Sequence, residues 1–163
     1  MIVNTPQQTF RAALGQFFVK ETSTENLAAA RSLIERSETA GADLLVLPEC
    51  IIARKLGMPE WGQKQAEPLD GPFVSGLREA TRGRRVTVVC TVQAKIANES
   101  RYANDLLVIQ NGELRLTYQK IHLYDAFRGK ESSYAAPGDV LPQVLQIGPF
   151  KVGFLTCLLY TSP

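Results

Sequence analysis

The sequence predicts an α/β fold with a mixed sheet, and three observations support this. Short apolar runs rich in β-branched residues recur along the chain, as in residues 44–47 and 86–89. Helical periodicity is confined to the first half of the chain. An Asn-Gly turn in the second half predicts an antiparallel hairpin, whereas strands that alternate with helices pair in parallel, so the sheet is expected to contain both kinds of pairing.

The first half predicts a β-α-β unit. Residues 10–19 are predicted as the first strand. A helix is expected to begin at Ser23 or Thr24, which are favourable N-caps, and to end at Gly41. Residues 42–49, ADLLVLPE, form a continuous apolar run bounded by turn formers, which predicts a strand covered on both faces.

The rest of the chain predicts one more helix and then only strands. The helix is expected at residues 70–82, followed by strands at residues 85–93, 104–109, 114–119, 144–147 and 151–156. The turn QNGE between the fourth and fifth strands of the chain carries Asn-Gly, the strongest short hairpin signal. The later strands have no helix after them to cover their second face.

The amino-acid composition limits the classes of protein and of partner that this chain can represent. A chain of 163 residues with 45% hydrophobic and 21% charged residues is expected to form one globular domain. A net charge of +2 without a basic stripe argues against a nucleic-acid partner. Short apolar runs and an N-terminus unlike a signal peptide predict a cytoplasmic protein with no membrane partner. Cys50, Cys90 and Cys157 form no CxxC pair and are expected to be free thiols, and a single histidine implies neither a metal site nor another cofactor.

Three residues that can carry chemistry follow predicted strands. Glu49, Lys120 and Cys157 stand at carboxyl ends of strands, where α/β sheets usually build ligand sites, so they are expected to converge. Taken singly, they are better explained as a solvated strand end, a surface charge on a hairpin and a small buried hydrophobe. Together they supply a thiol nucleophile, a proton acceptor and a cation for an oxyanion.

Three stretches of the chain, ADLLVLPE, YQKIHLYDAF and VGFLTC, resemble the successive signatures of the nitrilase superfamily, the carbon-nitrogen hydrolases. The resemblance identifies residues 9–157 as the N-terminal part of an α-β-β-α sandwich domain. It implies a Glu-Lys-Cys triad of Glu49, Lys120 and Cys157 that hydrolyses small linear amides through a thioester. The string KIHLYDAF is most similar to the amidase branch that includes deaminated glutathione amidase and omega-amidase. A homo-oligomeric intact enzyme is also implied.

Two further residues are candidates for the site, one from this resemblance and one from its spacing. Glu131, in GKESSYAAPGD, matches the second glutamate of the family, which precedes a Pro-Gly turn. It is implied to orient Lys120 and to position the amide nitrogen, and the alternative is a solvated loop glutamate. His122 lies two residues after Lys120, so a Cys157-His122 dyad competes with the triad, although a structural hydrogen bond is the preferred role for this histidine.

The resemblance stops after Cys157. The string CLLYTSP resembles the translation of a sequencing adapter, so residues 158–163 are expected to be a non-native tail. The alternative is a natural short protein with a new C-terminus. A competing function of another class is a non-catalytic scaffold or binding fragment that kept the triad residues.

Overall fold

The computed structural model describes residues 9–126 and 130–157. The predicted tail at residues 158–163 lies outside the described residues. The helices are α1 (Ser23–Thr39), α2 (Trp61–Gln65), α3 (Pro72–Thr81) and a 3-10 turn (Glu131–Ser133). The strands are β1 (Ala12–Leu14), β2 (Leu44–Val46), β3 (Thr87–Lys95), β4 (Tyr102–Gln110), β5 (Glu113–Gln119), β6 (Ala135–Ala136), β7 (Leu145–Ile147) and β8 (Phe150–Val152).

The main sheet is mixed, as the sequence predicts. Its strands follow the order β1-β2-β3-β4-β5, and β6 pairs with the first residues of β4. The pairs β1-β2 and β2-β3 are parallel, whereas β3-β4 and β4-β5 are antiparallel. The β-α-β unit of the first half is therefore confirmed, and β7 and β8 form a separate two-stranded ladder.

Both faces of the sheet are buried, by different elements. On one face, α1 and α3 contribute Ile34, Phe73 and Leu77 to a core that includes Leu45 of β2 and Leu107 of β4. On the opposite face, a second cluster joins the sheet to the β7-β8 hairpin through a further set of apolar side chains: Leu44, Val89, Leu106, Val108, Ile147 and Phe154. Because successive side chains of a strand point to opposite faces, a continuous apolar run is what β2 needs in this position.

The Asn-Gly hairpin lies where the sequence places it. Asn111 and Gly112 have φ values of 49° and 79°, the left-handed conformation that a tight two-residue turn requires. The turn is tied to the end of α3, because the Gly112 N–H donates to Thr81 Oγ1 at 3.0 Å and the Gly83 N–H donates to Asn111 Oδ1 at 2.7 Å. This register directs the even-numbered residues of β4 away from the helices.

Several strands are shorter than expected. β1 has three residues instead of the ten predicted, because its partner β2 offers three residues for pairing. β8 ends at Val152, and residues 153–156 have no regular structure. Cys157 is exposed and does not follow a strand directly, so the expected placement at a strand end was wrong.

Among the described residues, no helix has both the length and the apolar character needed to cross a bilayer.

Candidate active site

The loop that carries Glu49 is held by side chains of β3. Thr91 Oγ1 accepts a hydrogen bond from the Cys50 N–H at 2.7 Å. The side-chain amide of Gln93 donates to the carbonyls of Cys50 and Ala53, at 3.1 and 2.9 Å. Cys50 itself has a φ of 56°. Glu49 therefore lies in a loop three residues after the end of β2, and the backbone of this loop is fixed by the neighbouring strand.

Lys120 follows β5 directly and is almost completely buried. Its N–H donates to the carbonyl of Asn104 on β4 at 2.9 Å, and its own carbonyl accepts from the Gly138 N–H at 2.9 Å. Its ammonium lies 3.0 Å from Glu49 Oε1 and 2.8 Å from Glu131 Oε2. Lys120 is thus an ammonium held between two carboxylates.

Glu131 opens the 3-10 turn and is buried, with 7% of its surface exposed. Its Oε2 accepts a 2.7 Å hydrogen bond from the Tyr124 N–H, and its own N–H donates to the Tyr124 carbonyl at 3.1 Å. Asp125 accepts from the N–H and the hydroxyl of Ser132, which closes the same loop a second time. This burial rules out the alternative that Glu131 is a solvated loop glutamate.

The charges of the site act on one another. Burial alone would lower the pKa of Lys120, but hydrogen bonds and charge attraction from Glu131 and Glu49 outweigh it and raise this pKa above its ordinary value. The pKa of the Cys50 thiol is raised to about 12, mainly by burial and to a smaller extent by the negative charges of Glu49 and Glu131. Lys120 therefore stays charged at neutral pH, and Cys50 stays a neutral thiol beside it.

One cavity brings the candidate residues together. It has a volume of about 490 Å3, and four of the residues that line it are Glu49, Lys120, Glu131 and Cys157. Tyr102, Tyr124 and Tyr134 also line it, and Tyr102 stacks on Tyr134 with ring centroids 6.2 Å apart. His122 is exposed and is not among the described residues that line this cavity, so the structure does not support a Cys157-His122 dyad.

Sequence reasoning missed Asn104. Its Nδ2 donates to Glu49 Oε1 at 2.8 Å and to Glu131 Oε1 at 3.2 Å. The available signal was its position, because Asn104 is an amide in the mostly apolar strand YANDLLVI and faces the same side of the sheet as Tyr102. Nothing in the local sequence indicates that two carboxylates from distant segments meet there.

This arrangement is suited to nucleophilic chemistry. A thiol and a carboxylate in one cavity supply a nucleophile and a proton acceptor, and a permanently charged ammonium can stabilise negative charge that develops on a bound carbonyl oxygen. These are the elements of acyl transfer to a cysteine.

Known proteins share both the sequence pattern and the fold. The chain is 32% identical to the deaminated glutathione amidase of Escherichia coli and 28% identical to an omega-amidase of Xenopus tropicalis, over 89% and 91% of its length. These matches cover 55% and 54% of the two relatives, so the chain spans about half the length of the curated relatives it matches. A mutant of the amidase from Nesterenkonia sp., solved with acrylamide added at its active site cysteine, superposes with a TM-score of 0.77 at 25% identity, over 91% of this chain and 57% of that one.

The family model of the carbon-nitrogen hydrolases matches residues 11–158, which is nearly the whole chain and includes every candidate residue of the site. The protein therefore belongs to the carbon-nitrogen hydrolase family.

Proposed function

We propose that this chain carries the active site of an amidase that hydrolyses small linear amides through a thioester on Cys157. One observation carries the proposal: the Lys120 ammonium is paired with both Glu49 and Glu131 in the cavity that Cys157 also lines. The amidase relatives favour an amide over a nitrile as substrate.

The proposed mechanism follows from the chemistry of these groups. Glu49 accepts the Sγ proton of Cys157, and the thiolate attacks the amide carbonyl. Lys120, together with a backbone N–H, stabilises the oxyanion of the tetrahedral intermediate. The proton held by Glu49 passes to the amide nitrogen, ammonia leaves, and water activated by Glu49 then cleaves the thioester to release the carboxylic acid and restore the thiol.

Glu131 orients Lys120 in this scheme. It has a 2.8 Å contact with the ammonium and is itself held by the Tyr124 N–H, so it keeps the cation in place while Glu49 changes its protonation state. It is also proposed to position the amide nitrogen of the substrate.

The substrate proposed is an ω-amide of a small dicarboxylic acid, with deaminated glutathione as the specific candidate. Arg54 lines the cavity close to Glu49 in the chain and supplies positive charge that suits a substrate with a free carboxylate.

The test is ammonia release from succinamate, glutaramate and deaminated glutathione. It is run on the chain itself and on a chimera in which the corresponding segment of the Escherichia coli relative follows Cys157. Cys157→Ser and Glu49→Gln are each expected to lower kcat/KM at least about 100-fold. Cys90→Ala is the control, since Cys90 is buried in the helix-side core.

Activity that survives Cys157→Ala but is lost in His122→Ala would replace the triad by the histidine mechanism. A folded chain and a folded chimera that both release no ammonia would instead favour a non-catalytic scaffold or binding module.

A further inference from the structure

Asn104 contacts all three charged residues of the site. It is completely buried on β4. Its carbonyl accepts the Lys120 N–H at 2.9 Å, and its side-chain Nδ2 donates to Glu49 at 2.8 Å and to Glu131 at 3.2 Å. The two carboxylates come from loops more than eighty residues apart along the chain, and one amide group holds both of them.

The four carboxylate oxygens of Glu49 and Glu131 do not accept equal numbers of hydrogen bonds. Glu49 Oε1 accepts from both Lys120 and Asn104, whereas no described residue donates to Glu49 Oε2. Both oxygens of Glu131 are used, Oε1 by Asn104 and Oε2 by Lys120 and the Tyr124 N–H. Since the Glu49 side chain is 40% exposed and lines the cavity, its Oε2 is the oxygen left to accept a proton.

The amide of Asn104 is held in an orientation that costs stability. Its Oδ1 is buried and has no hydrogen-bond partner among the described residues. An unpaired buried acceptor is unfavourable, but the flipped amide would bring this oxygen against two carboxylates, which is worse. The orientation is therefore dictated by the carboxylates rather than by the packing of β4.

We propose that Asn104 is a positioning residue that occupies Glu49 Oε1 and thereby presents Glu49 Oε2 to Cys157 as the proton acceptor. Without this donor, the Glu49 carboxylate is free to turn and offer both oxygens to the Lys120 ammonium, which withdraws the basic oxygen from the cavity. The proton-acceptor part of this inference rests on the proposed function; the coupling of Asn104 to the carboxylates does not.

The first test is the rate at which acrylamide alkylates Cys157 in the full chain, followed by mass spectrometry between pH 5 and 9. We expect Asn104→Ala to slow alkylation at neutral pH roughly 10-fold. We also expect the acid side of the plot of alkylation rate against pH to move to higher pH, because hydrogen bonds donated to a carboxylate favour its ionised form. Asn104→Asp is expected to slow it more than Asn104→Ala, since it sets a third carboxylate against the other two. A packing role predicts the opposite order, because Asp matches Asn in size.

Thr81→Val is the matched control for lost stability. Thr81 is completely buried and its hydroxyl makes two hydrogen bonds, but it lies at the hairpin turn and touches neither carboxylate. It is expected to leave the pH profile of Cys157 alkylation unchanged. A shift as large as that of Asn104→Ala would overturn the proposal.

The second test is a double-mutant cycle in the unfolding equilibrium, which does not depend on activity. Asn104→Ala combined with Glu131→Gln is expected to show a coupling of roughly 10-fold in the unfolding constant. The same change combined with Glu38→Gln is expected to show none, because the Glu38 carboxylate accepts from the N–H groups of Arg85 and Val86, away from Asn104.

The two tests separate the two claims. If Glu49→Gln leaves Cys157 alkylation unchanged, the proposed function fails and the proton-acceptor part of the inference fails with it, while coupling between Asn104 and Glu131 still supports the positioning of the carboxylates. If Glu49→Gln slows alkylation but Asn104→Ala does not, the proposed function stands and the Asn104 inference is wrong.

Discussion

Asp105 is the residue after Asn104, and its carboxyl points to the opposite face of the sheet. Adjacent residues of β4 alternate between faces, and Ala103 and Leu107 on either side of Asp105 belong to the helix-side core. Asp105 is 8% exposed, and burial raises its pKa from an ordinary value of 3.8 to about 6. One strand therefore carries a hydrogen-bonded amide on the cavity face and, on the other face, a carboxyl whose ionised form is disfavoured by burial.

Asp105→Asn is expected to stabilise the protein, and the gain should depend on pH. A carboxyl whose pKa is raised on folding binds its proton more tightly in the folded state, so its contribution to stability is lost as pH rises from about 4 through about 6. The variant should gain about 1–3 kcal/mol above pH 7 and little at pH 4. Thermal unfolding of both proteins from pH 4 to 8 measures this difference. A variant less stable than the parent at pH 8 would mean that the carboxylate has a stabilising contact.

At the scale of elements, the segment after β6 packs very closely on the end of β5. A Cβ built on Gly138 would overlap the Gln119 carbonyl oxygen and lie 2.9 Å from Gln119 Cβ. Gly138 needs no unusual φ; it is required because the two backbones nearly touch. The Gly138 N–H also donates to the Lys120 carbonyl, so this contact sets the position of the buried lysine.

Gly138→Ala is accordingly expected to destabilise the protein by about 1–3 kcal/mol, because overpacking forces the backbones apart. Since Lys120 directly follows Gln119, Cys157 alkylation should also change in this variant. Gly153→Ala is the control, because no atom lies within 4 Å of its added Cβ, and it should alter stability by less than about 0.5 kcal/mol. Equal unfolding temperatures for the two variants would contradict the close packing.

At the scale of the whole molecule, large apolar side chains are exposed at one edge of the sheet. Leu14 at the end of β1 is 79% exposed and nearby Phe18 is 71% exposed. Within the described residues, β1 pairs only with β2, so its other edge is open. An open edge with exposed apolar side chains favours pairing with a second chain.

We expect the mass of the protein in light scattering to rise with concentration. Leu14→Lys with Phe18→Lys should weaken this association at least about 10-fold, because each large apolar side chain that is buried contributes about 1.5–3 kcal/mol. Val140→Lys with Leu141→Lys, at equally exposed positions in a loop, should have a smaller effect. A parent protein that stays monomeric at every concentration would show that the open edge does not associate.

The short elements α2 and β6 were missed, whereas the sequence was sufficient to predict the α/β class, the β-α-β unit, the Asn-Gly hairpin and the order of the longer elements. Each of these depends on local patterns: apolar period, caps and turn residues within a few positions of one another. Glu49, Lys120 and Cys157 were singled out by their places after predicted strands and by their chemistry, whereas Glu131 was identified only through the resemblance of short motifs to a family. Their catalytic roles remain a prediction.

How these residues meet depends on long-range packing. Strand pairing limited β1 to three residues and ended β8 at Val152, because a strand extends only as far as its partner. It also placed Asn104 between Glu49 and Glu131, 55 and 27 residues away in the chain. No local pattern records such a contact, since it depends on the register of β4 and on where two loops cross the sheet. Side-chain burial, the lack of a partner for Asn104 Oδ1 among the described residues and the raised pKa of Asp105 arise from the same long-range packing.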